Sequence, residues 1–118
     1  MSTACTRTMT LTYTGDLTAT QTVEALQNPA SPGVIEYRNL VVGANTITVP
    51  VATGATAVSV TMSPPAGNTH AIRLKGVVGD TGVGLHVTDP TTIALAPTVA
   101  TFVLDLDTAI AGVRFFWS

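Results

Sequence analysis

The fold of this chain is decided by a stretch in which threonine alternates with other residues. From residue 6 to residue 14 the sequence reads Thr-Arg-Thr-Met-Thr-Leu-Thr-Tyr-Thr, with threonine at every even position. Met9, Leu11 and Tyr13 therefore share the odd positions. Successive side chains of a β-strand point to opposite faces of the sheet. The stretch predicts a β-strand with one face buried in a core.

The same alternation recurs along the chain. The apolar members of these runs are Ile47, Val49 and Val51; Val58, Val60 and Met62; Ile72 and Leu74, preceded by His70 on the same parity; Val83, Leu85 and Val87; Ile93 and Leu95; Ala100, Phe102, Leu104 and Leu106; and Val113, Phe115 and Trp117. Two weaker segments, residues 17–25 and 34–41, are also rich in β-forming residues. The best helix candidate, residues 22–28, is only about two turns long.

Compact turn signals separate these runs. They are the segments rich in Gly, Pro, Asn and Asp at residues 14–16, 28–33, 43–45, 63–68, 79–82 and 89–90. Short strands separated by such turns at intervals of about 8–12 residues are typical of all-β sandwiches and barrels. We therefore predict one all-β domain over residues 1–118, a β-sandwich or jelly roll of about eight to ten short antiparallel strands.

Charged residues are scarce in this sequence. The chain has 5 basic and 7 acidic residues, but 22 Thr, 15 Val and 5 Ile. Charged residues make up 10% of the chain, whereas ordinary soluble domains carry about 25%. Five scattered cations cannot form the basic surface that neutralises phosphates, so we predict no nucleic-acid partner. A surface of Thr, Ala and Gly can be covered without desolvating charges, and we expect a homo-oligomer, a trimer or a dimer.

Three features resemble catalytic or ligand-binding motifs, and we favour a structural explanation for each. Asp105 and Asp107 would project from one strand face about 7 Å apart, and we interpret them as solvated or interface carboxylates. No helix follows the glycine-rich segment 76–84, so we predict a hairpin turn there and not a phosphate-binding loop. His70 and His86 fall on opposite strand faces and lack further ligands. We predict no catalytic residue, no metal, no cofactor and no enzymatic activity.

The aromatic residues near the end of the sequence are the best candidates for an interaction surface. Phe115 and Trp117 share one strand face, which favours a core position for both, whereas Phe116 points the other way. Phe116 is either buried in a second layer or exposed for a partner. We name Phe116, Trp117, Arg114 and Tyr37 as candidate interface residues.

The sequence also bears on where the protein is made. The segment 1–14 lacks the apolar core of a secretory signal, so we expect synthesis in a cytoplasm without a signal peptide. Cys5 is the one cysteine, which excludes an intrachain disulfide. Residues 39–72 carry no Asp, Glu, Lys or Arg, but Pro50, Pro64 and Pro65 interrupt them. We therefore expect no membrane span and no membrane partner.

Several of these turn and strand motifs resemble those of small β-sandwich virion structural proteins of tailed bacteriophages. The motifs are Ala30-Ser-Pro-Gly33, Gly43-Ala-Asn-Thr-Ile-Thr-Val-Pro50, Pro64-Pro-Ala-Gly-Asn-Thr69, Leu74-Lys-Gly-Val-Val-Gly-Asp-Thr-Gly82, Leu85-His-Val-Thr-Asp-Pro90 and Ala111-Gly-Val-Arg-Phe-Phe-Trp117. The resemblance implies a capsid decoration, or cement, protein that binds the major capsid protein and stabilises the shell. It implies a location on the capsid surface of the virion.

A second hypothesis belongs to the binding class. A β-sandwich at the tip of a tail fibre or spike, or elsewhere in the tail or neck, could bind a receptor or a carbohydrate. Sugar binding needs exposed aromatic rings, and the candidates are Tyr13, Tyr37, Trp117 and the three Phe residues. An enzyme on a jelly-roll scaffold would need converging histidines and carboxylates, which this sequence does not supply.

Overall fold

The computed structural model describes residues 3–52, 55–96 and 98–118. This part of the chain forms twelve strands and no helix: β1 (Thr3–Tyr13), β2 (Ala19–Ser31), β3 (Ile35–Leu40), β4 (Gly43–Thr48), β5 (Val51–Ala52), β6 (Ala55–Thr56), β7 (Ser59–Ser63), β8 (Ile72–Lys75), β9 (Val83–Gly84), β10 (Thr91–Ala94), β11 (Thr101–Leu106) and β12 (Ile110–Trp117). Every strand pairing is antiparallel. The prediction of an all-β fold is confirmed.

None of the described residues belongs to a helix with the length and apolarity that a membrane crossing requires.

Two four-stranded sheets pack face to face and enclose the core. One sheet has the strand order β10-β7-β12-β3, and the other has the order β4-β11-β8-β9. The indole of Trp117 joins the two layers, because its ring centroid lies 6.2 Å from that of Phe102 and 6.1 Å from that of Phe115. Phe102 belongs to one sheet, and the other two aromatic residues belong to the opposite one.

Most of the alternating runs place apolar residues from one strand face in the core. Its buried members are Leu40, Ile47, Val49, Ala57, Val60, Met62, Ile72, Phe102, Leu104, Leu106, Ile110, Val113, Phe115 and Trp117. Burying apolar surface contributes about 25 cal/mol per Å², and these alternating residues supply the surface that makes the two sheets pack together.

A β-bulge in β12 determines which of its residues face the core. The pairing with β3 shifts register between Ile110 and Val113, and Gly112 has a φ of 75°. Its backbone N–H donates a hydrogen bond of 3.0 Å to the Asn39 side chain. Glycine adopts such a left-handed conformation without a steric penalty. Beyond the bulge, Val113 and alternate residues point inward, and the residues between them point to the outer face.

The hairpin formed by β1 and β2, which we call the arm (residues 3–31), lies outside the sandwich. Every described side chain from residue 4 to residue 20 is exposed or half-buried. At the base of the arm, the Asn28 side-chain amide donates a hydrogen bond of 2.8 Å to the Thr56 carbonyl. The radius of gyration is 15.7 Å, whereas a compact chain of this length would have about 13.5 Å. The arm accounts for this extended shape.

The structure corrects several expectations drawn from alternation. The odd face of β1 is not buried, since Met9, Leu11 and Tyr13 are 47%, 41% and 48% exposed. Val51 and Val83 are also exposed, at 79% and 66%. These two positions lie in two-residue strands at the margins of the fold, where no second layer covers them.

Three local predictions are also corrected. Residues 22–28, the helix candidate, lie in β2. The turn expected at residues 28–33 begins later, because β2 continues to Ser31 and Gly33 then adopts a φ of 63°. His70 is exposed and precedes β8, so it does not share the buried face of Ile72. The side chains of residues 21–25, within the weaker predicted segment 17–25, lie outside the described part of the structure.

Candidate interaction surfaces

The outer face of one sheet carries a cluster of exposed apolar side chains. Ile35 and Tyr37 of β3 are 55% and 70% exposed, and Phe116 of β12 is 44% exposed. Phe116 pairs directly with Ile35, and Arg114 pairs directly with Tyr37. Directly opposed residues of an antiparallel pair have Cβ atoms about 5 Å apart. These four residues therefore form one continuous surface, which we call the outer patch.

The outer patch lies on a sheet face with very little charge. Arg114 is the one charged residue that the described strands place on this face, and its Nη2 lies 3.3 Å from the Ser63 hydroxyl. The other half of the face carries hydroxyl groups, and those of Thr61 and Thr92 are hydrogen-bonded at 2.9 Å. Solvent-facing sheet surfaces are usually polar. The outer patch is an apolar exception on this face.

Three of the four predicted interface residues meet in the outer patch, and the fourth does not. Trp117 is fully buried on the core side of β12. Its indole Nε1–H donates a hydrogen bond of 3.0 Å to Glu36 Oε1. Phe115 is fully buried beside it, whereas Phe116 faces outward. The structure therefore resolves the alternative left open for Phe116, because its ring is 44% exposed and no second layer of the described residues covers it.

An ion pair lies on the edge strand beside the outer patch. Arg38 Nη2 lies 3.0 Å from Glu36 Oε1 on edge strand β3, and the Arg38 guanidinium carbon lies 5.6 Å from the centre of the Phe115 ring. Inward-pointing charges on an edge strand discourage pairing with another sheet. This edge is therefore poorly suited to strand addition, although the face next to it is apolar.

The arm has two unlike faces. Met9, Leu11 and Tyr13 line one face of β1, and Thr8, Thr10 and Thr12 line the other. The register of the hairpin is regular from Thr8 to Tyr13, so each face is continuous. Leu17, in the turn at the end of the arm, is 62% exposed. The chain thus presents a row of apolar side chains that the described residues leave uncovered.

An open groove of about 830 Å³ lies between strands of the two sheets. Its apolar lining comes from β8, β9, β10, the segment after β10 and the start of β11. It consists mainly of Leu74, Val83, Ile93, Leu95, Val99 and Phe102. Lys75 and Asp80 add charge to the groove. Lys75 is already engaged, because its ammonium forms an ion pair with Asp105. We call this feature the apolar groove.

The paired carboxylates do not form a site. Asp105, on β11, forms an ion pair with Lys75. Asp107 is exposed beyond the end of that strand. In the described residues no group of three or more His, Cys, Asp or Glu side chains could hold a metal ion. His86 accepts hydrogen bonds at Nδ1 from the backbone N–H groups of Thr88 and Asp89, at 3.2 and 2.9 Å. These contacts are local ones within a turn.

The glycine-rich segment forms the hairpin turn between β8 and β9. Strand pairing joins Arg73 to Gly84 and Leu74 to Val83. The Arg73 guanidinium donates hydrogen bonds of 2.8 to 3.0 Å to the carbonyls of Thr81 and Gly82. Gly82 has a φ of 74°, and a Cβ there would lie 2.6 Å from the Leu74 carbonyl oxygen. The turn thus builds one wall of the apolar groove.

Sequence reasoning missed the arm and the apolar groove as surfaces. Alternation identified the apolar side of each strand, but it carries no information on what covers that side. One signal was available for the arm: its two strands are long and adjacent in the chain, and they share a turn at Gly15, so they can pair without the rest of the fold.

Comparison with protein-family models, curated proteins and solved structures gave no significant match.

Proposed function

We propose that this chain is a non-enzymatic structural protein of a phage virion, a capsid decoration protein that binds the major capsid protein and stabilises the shell. The observation that carries the proposal is the outer patch of Ile35, Tyr37, Arg114 and Phe116. This patch is the surface that would face the capsid. The protein would be made in the host cytoplasm and would then reside on the capsid surface as a homotrimer or homodimer.

The outer patch suits attachment to a large neutral surface. Three of its four side chains are apolar or aromatic, and covering them removes apolar area from water at about 25 cal/mol per Å². Each contact is small, so association costs consume much of this gain. Binding becomes strong when a multimeric protein contacts a repeating shell at several points. A capsid offers such a repeating surface.

The phage context of this proposal comes from the resemblance of the turn and strand motifs. The low charge of the chain agrees with it, because neutral surfaces can be covered in an assembly without desolvating ions. Fold alone does not define function, since similar β-sandwiches serve many roles. The experiment must therefore test location and attachment together.

Purified protein should be added to phage capsids that lack it. We expect regular density on the capsid surface in electron cryomicroscopy and a higher melting temperature of the shell in calorimetry. Because the contact is mainly apolar, raising the salt concentration should release little protein. Phe116→Asp should abolish attachment, because a charge would be buried without a partner.

Val51→Asp is the matched control for this variant. Val51 is 79% exposed and lies outside the outer patch, so the same new charge should leave attachment unchanged. Absence of the protein from the head, or equal binding by both variants, would refute the proposal.

The exposed Tyr37 ring favours a second candidate function, which is receptor or carbohydrate binding at a tail fibre, spike or neck. Aromatic rings stack on the apolar faces of sugars, and Tyr37 is 70% exposed beside Arg114. A glycan array gives the test. Specific binding that Tyr37→Ala abolishes, together with density at the tail alone, would support this function over capsid decoration.

A further inference from the structure

We propose that the apolar groove is a binding site for a small, uncharged and mainly hydrocarbon molecule. The side chains that line the groove come from both sheets of the sandwich. This inference goes beyond the proposed function, because attachment to a capsid uses the outer patch, whereas the groove lies between the two sheets and does not require a capsid.

The groove has the size and the composition of a small-molecule site. Its volume is about 830 Å³, and sites that bind small molecules measure about 300–1,000 Å³ and are lined mainly by apolar side chains. Leu74 and Leu95 line the groove and also pack against the core. Phe102, which is 6% exposed, belongs to the core and lines the groove as well. A ligand in the groove would therefore contact side chains that the fold already holds in place.

The groove lies between two short edge strands. One sheet ends at β9, which has two residues, and the other ends at β10, which has four. The side chains of Ile93, Leu95 and Val99 remain half-buried there. Covering apolar side chains removes them from water, which is favourable without any directional contact. A ligand that covers these residues would therefore bind mainly through the hydrophobic effect.

The charged groups at the groove already have partners within the chain. The Lys75 ammonium forms an ion pair with the Asp105 carboxylate. The Asp80 carboxylate accepts a hydrogen bond of 3.1 Å from the backbone N–H of Val77. A charged ligand would lose its hydration in the groove and would compete with these contacts for a partner. The groove therefore favours a ligand without charge.

Backbone polar groups beside the groove are also engaged. The Arg73 guanidinium donates hydrogen bonds of 2.8 to 3.0 Å to the carbonyls of Thr81 and Gly82, and the Leu95 N–H donates one of 2.7 Å to the Val58 carbonyl. A peptide would bring further N–H and C=O groups to the groove, and each of them needs a partner. A hydrocarbon needs none, so these contacts favour a hydrocarbon ligand over a peptide.

The first test compares two fluorescent probes that share one aromatic skeleton. N-phenyl-1-naphthylamine is neutral, and 8-anilino-1-naphthalenesulfonate is anionic. We expect the full chain to bind the neutral probe saturably and the sulfonate at least about 10-fold more weakly, because the sulfonate would lose its hydration beside the Asp80 carboxylate. Raising the salt concentration should leave the affinity for the neutral probe unchanged. Equal affinity for the two probes would overturn the assignment of an uncharged ligand.

The second test locates the bound probe with two neighbouring valines. Val77 lines the groove and is 62% exposed, whereas Val78 is 64% exposed and lies outside the lining. Val77→Asp should weaken binding of the neutral probe by at least about 10-fold, because a charge would be covered by an apolar ligand. Val78→Asp carries the same charge on the same turn and should leave binding unchanged.

A second groove variant guards against a local change of the turn. Val83→Asp places the charge on β9, on the opposite side of the hairpin, at a side chain that is 66% exposed. It should weaken binding as Val77→Asp does. Far-UV circular dichroism should show the same sheet signal for all three variants, because the substituted side chains are exposed.

Three further results would overturn the inference. One is a folded full chain that does not bind the neutral probe saturably. Another is binding that Leu11→Asp or Phe116→Asp weakens and Val77→Asp does not, which would place the probe on the arm or the outer patch. The third is self-association in sedimentation equilibrium that Val77→Asp weakens and Val78→Asp does not, which would show that protein fills the groove. None of these results decides whether the protein binds capsids, and failure of capsid binding would leave the ligand site intact.

Discussion

The arm and the strand pair β7–β12 are built on the same alternation, yet they hold their apolar side chains in opposite environments. In the arm, Met9 and Leu11 are more than two-fifths exposed, whereas Val60 and Phe115 are fully buried. Both regions are antiparallel ladders, and the ladder of the arm is regular from Thr8 to Tyr13. The difference is that a second sheet lies over β7–β12, while the described residues leave Met9, Leu11 and Tyr13 of the arm more than two-fifths exposed. The same pattern thus makes a core where a second layer covers it and an exposed apolar face where none does.

The largest effect should come from the two neighbouring phenylalanines of β12. Phe115→Ala removes a fully buried ring that stacks on Trp117, and we expect a loss of about 3–5 kcal/mol in the free energy of unfolding. Phe116→Ala removes the same atoms from the outer face and should cost less than about 1 kcal/mol. Urea titration at low protein concentration measures both. Equal losses would contradict the assignment of the two faces.

Replacing glycine by alanine should destabilise the β8–β9 turn more than the turn of the arm. Gly82→Ala would bring a Cβ within 2.6 Å of the Leu74 carbonyl oxygen at a φ of 74°, and we expect a loss of about 2–3 kcal/mol from strain and overpacking. Gly15 in the arm also has a positive φ, of 101°, but open space surrounds it. Gly15→Ala should therefore cost the sandwich less than Gly82→Ala in thermal unfolding. The reverse order would show that the arm turn contributes more to the stable core.

A smaller effect should appear at the protected edge. Glu36→Ala leaves the buried Trp117 Nε1–H without its acceptor, and we expect a loss of about 1–3 kcal/mol. Glu36→Gln keeps an acceptor oxygen but removes the charge that pairs with Arg38, so it should lose about 1 kcal/mol or less. Chemical denaturation of the two variants separates the contribution of the hydrogen bond to the free energy of unfolding from that of the ion pair. A larger loss for the glutamine variant would refute this division.

The smallest effect should come from the arm itself. Leu11→Ser changes a side chain that is 41% exposed, and the stability of the isolated monomer should change by no more than about 0.5 kcal/mol. Hydrogen exchange should also find the arm amides less protected than those of β12, since local opening needs less free energy where few apolar contacts are lost. A large loss of monomer stability in Leu11→Ser would mean that the arm packs on its own sandwich.

The alternation of residues predicted the strands and most of the core. Val113, Phe115 and Trp117 lie inward as their spacing indicated, and Tyr37, Arg114 and Phe116 meet because β3 pairs with β12. That pairing joins residues about 80 positions apart, and no local pattern specifies it. The exposure of Met9 and the existence of the groove depend on which strands reach the second layer. They follow from three-dimensional packing, which periodicity does not encode.

The position of β12 has a consequence for how the chain folds during synthesis. This strand lies between β7 and β3, and Trp117 bonds to Glu36 across 81 residues of sequence. The sheet cannot close until β12 leaves the ribosome, and such long-range pairing is slow. The arm pairs two strands that are adjacent in the sequence, so its pairing closes a much shorter loop and can form earlier. Folding would therefore begin with local pairing in the arm, which is only marginally stable by itself, and the stable sandwich would form only when β12 joins β7 and β3.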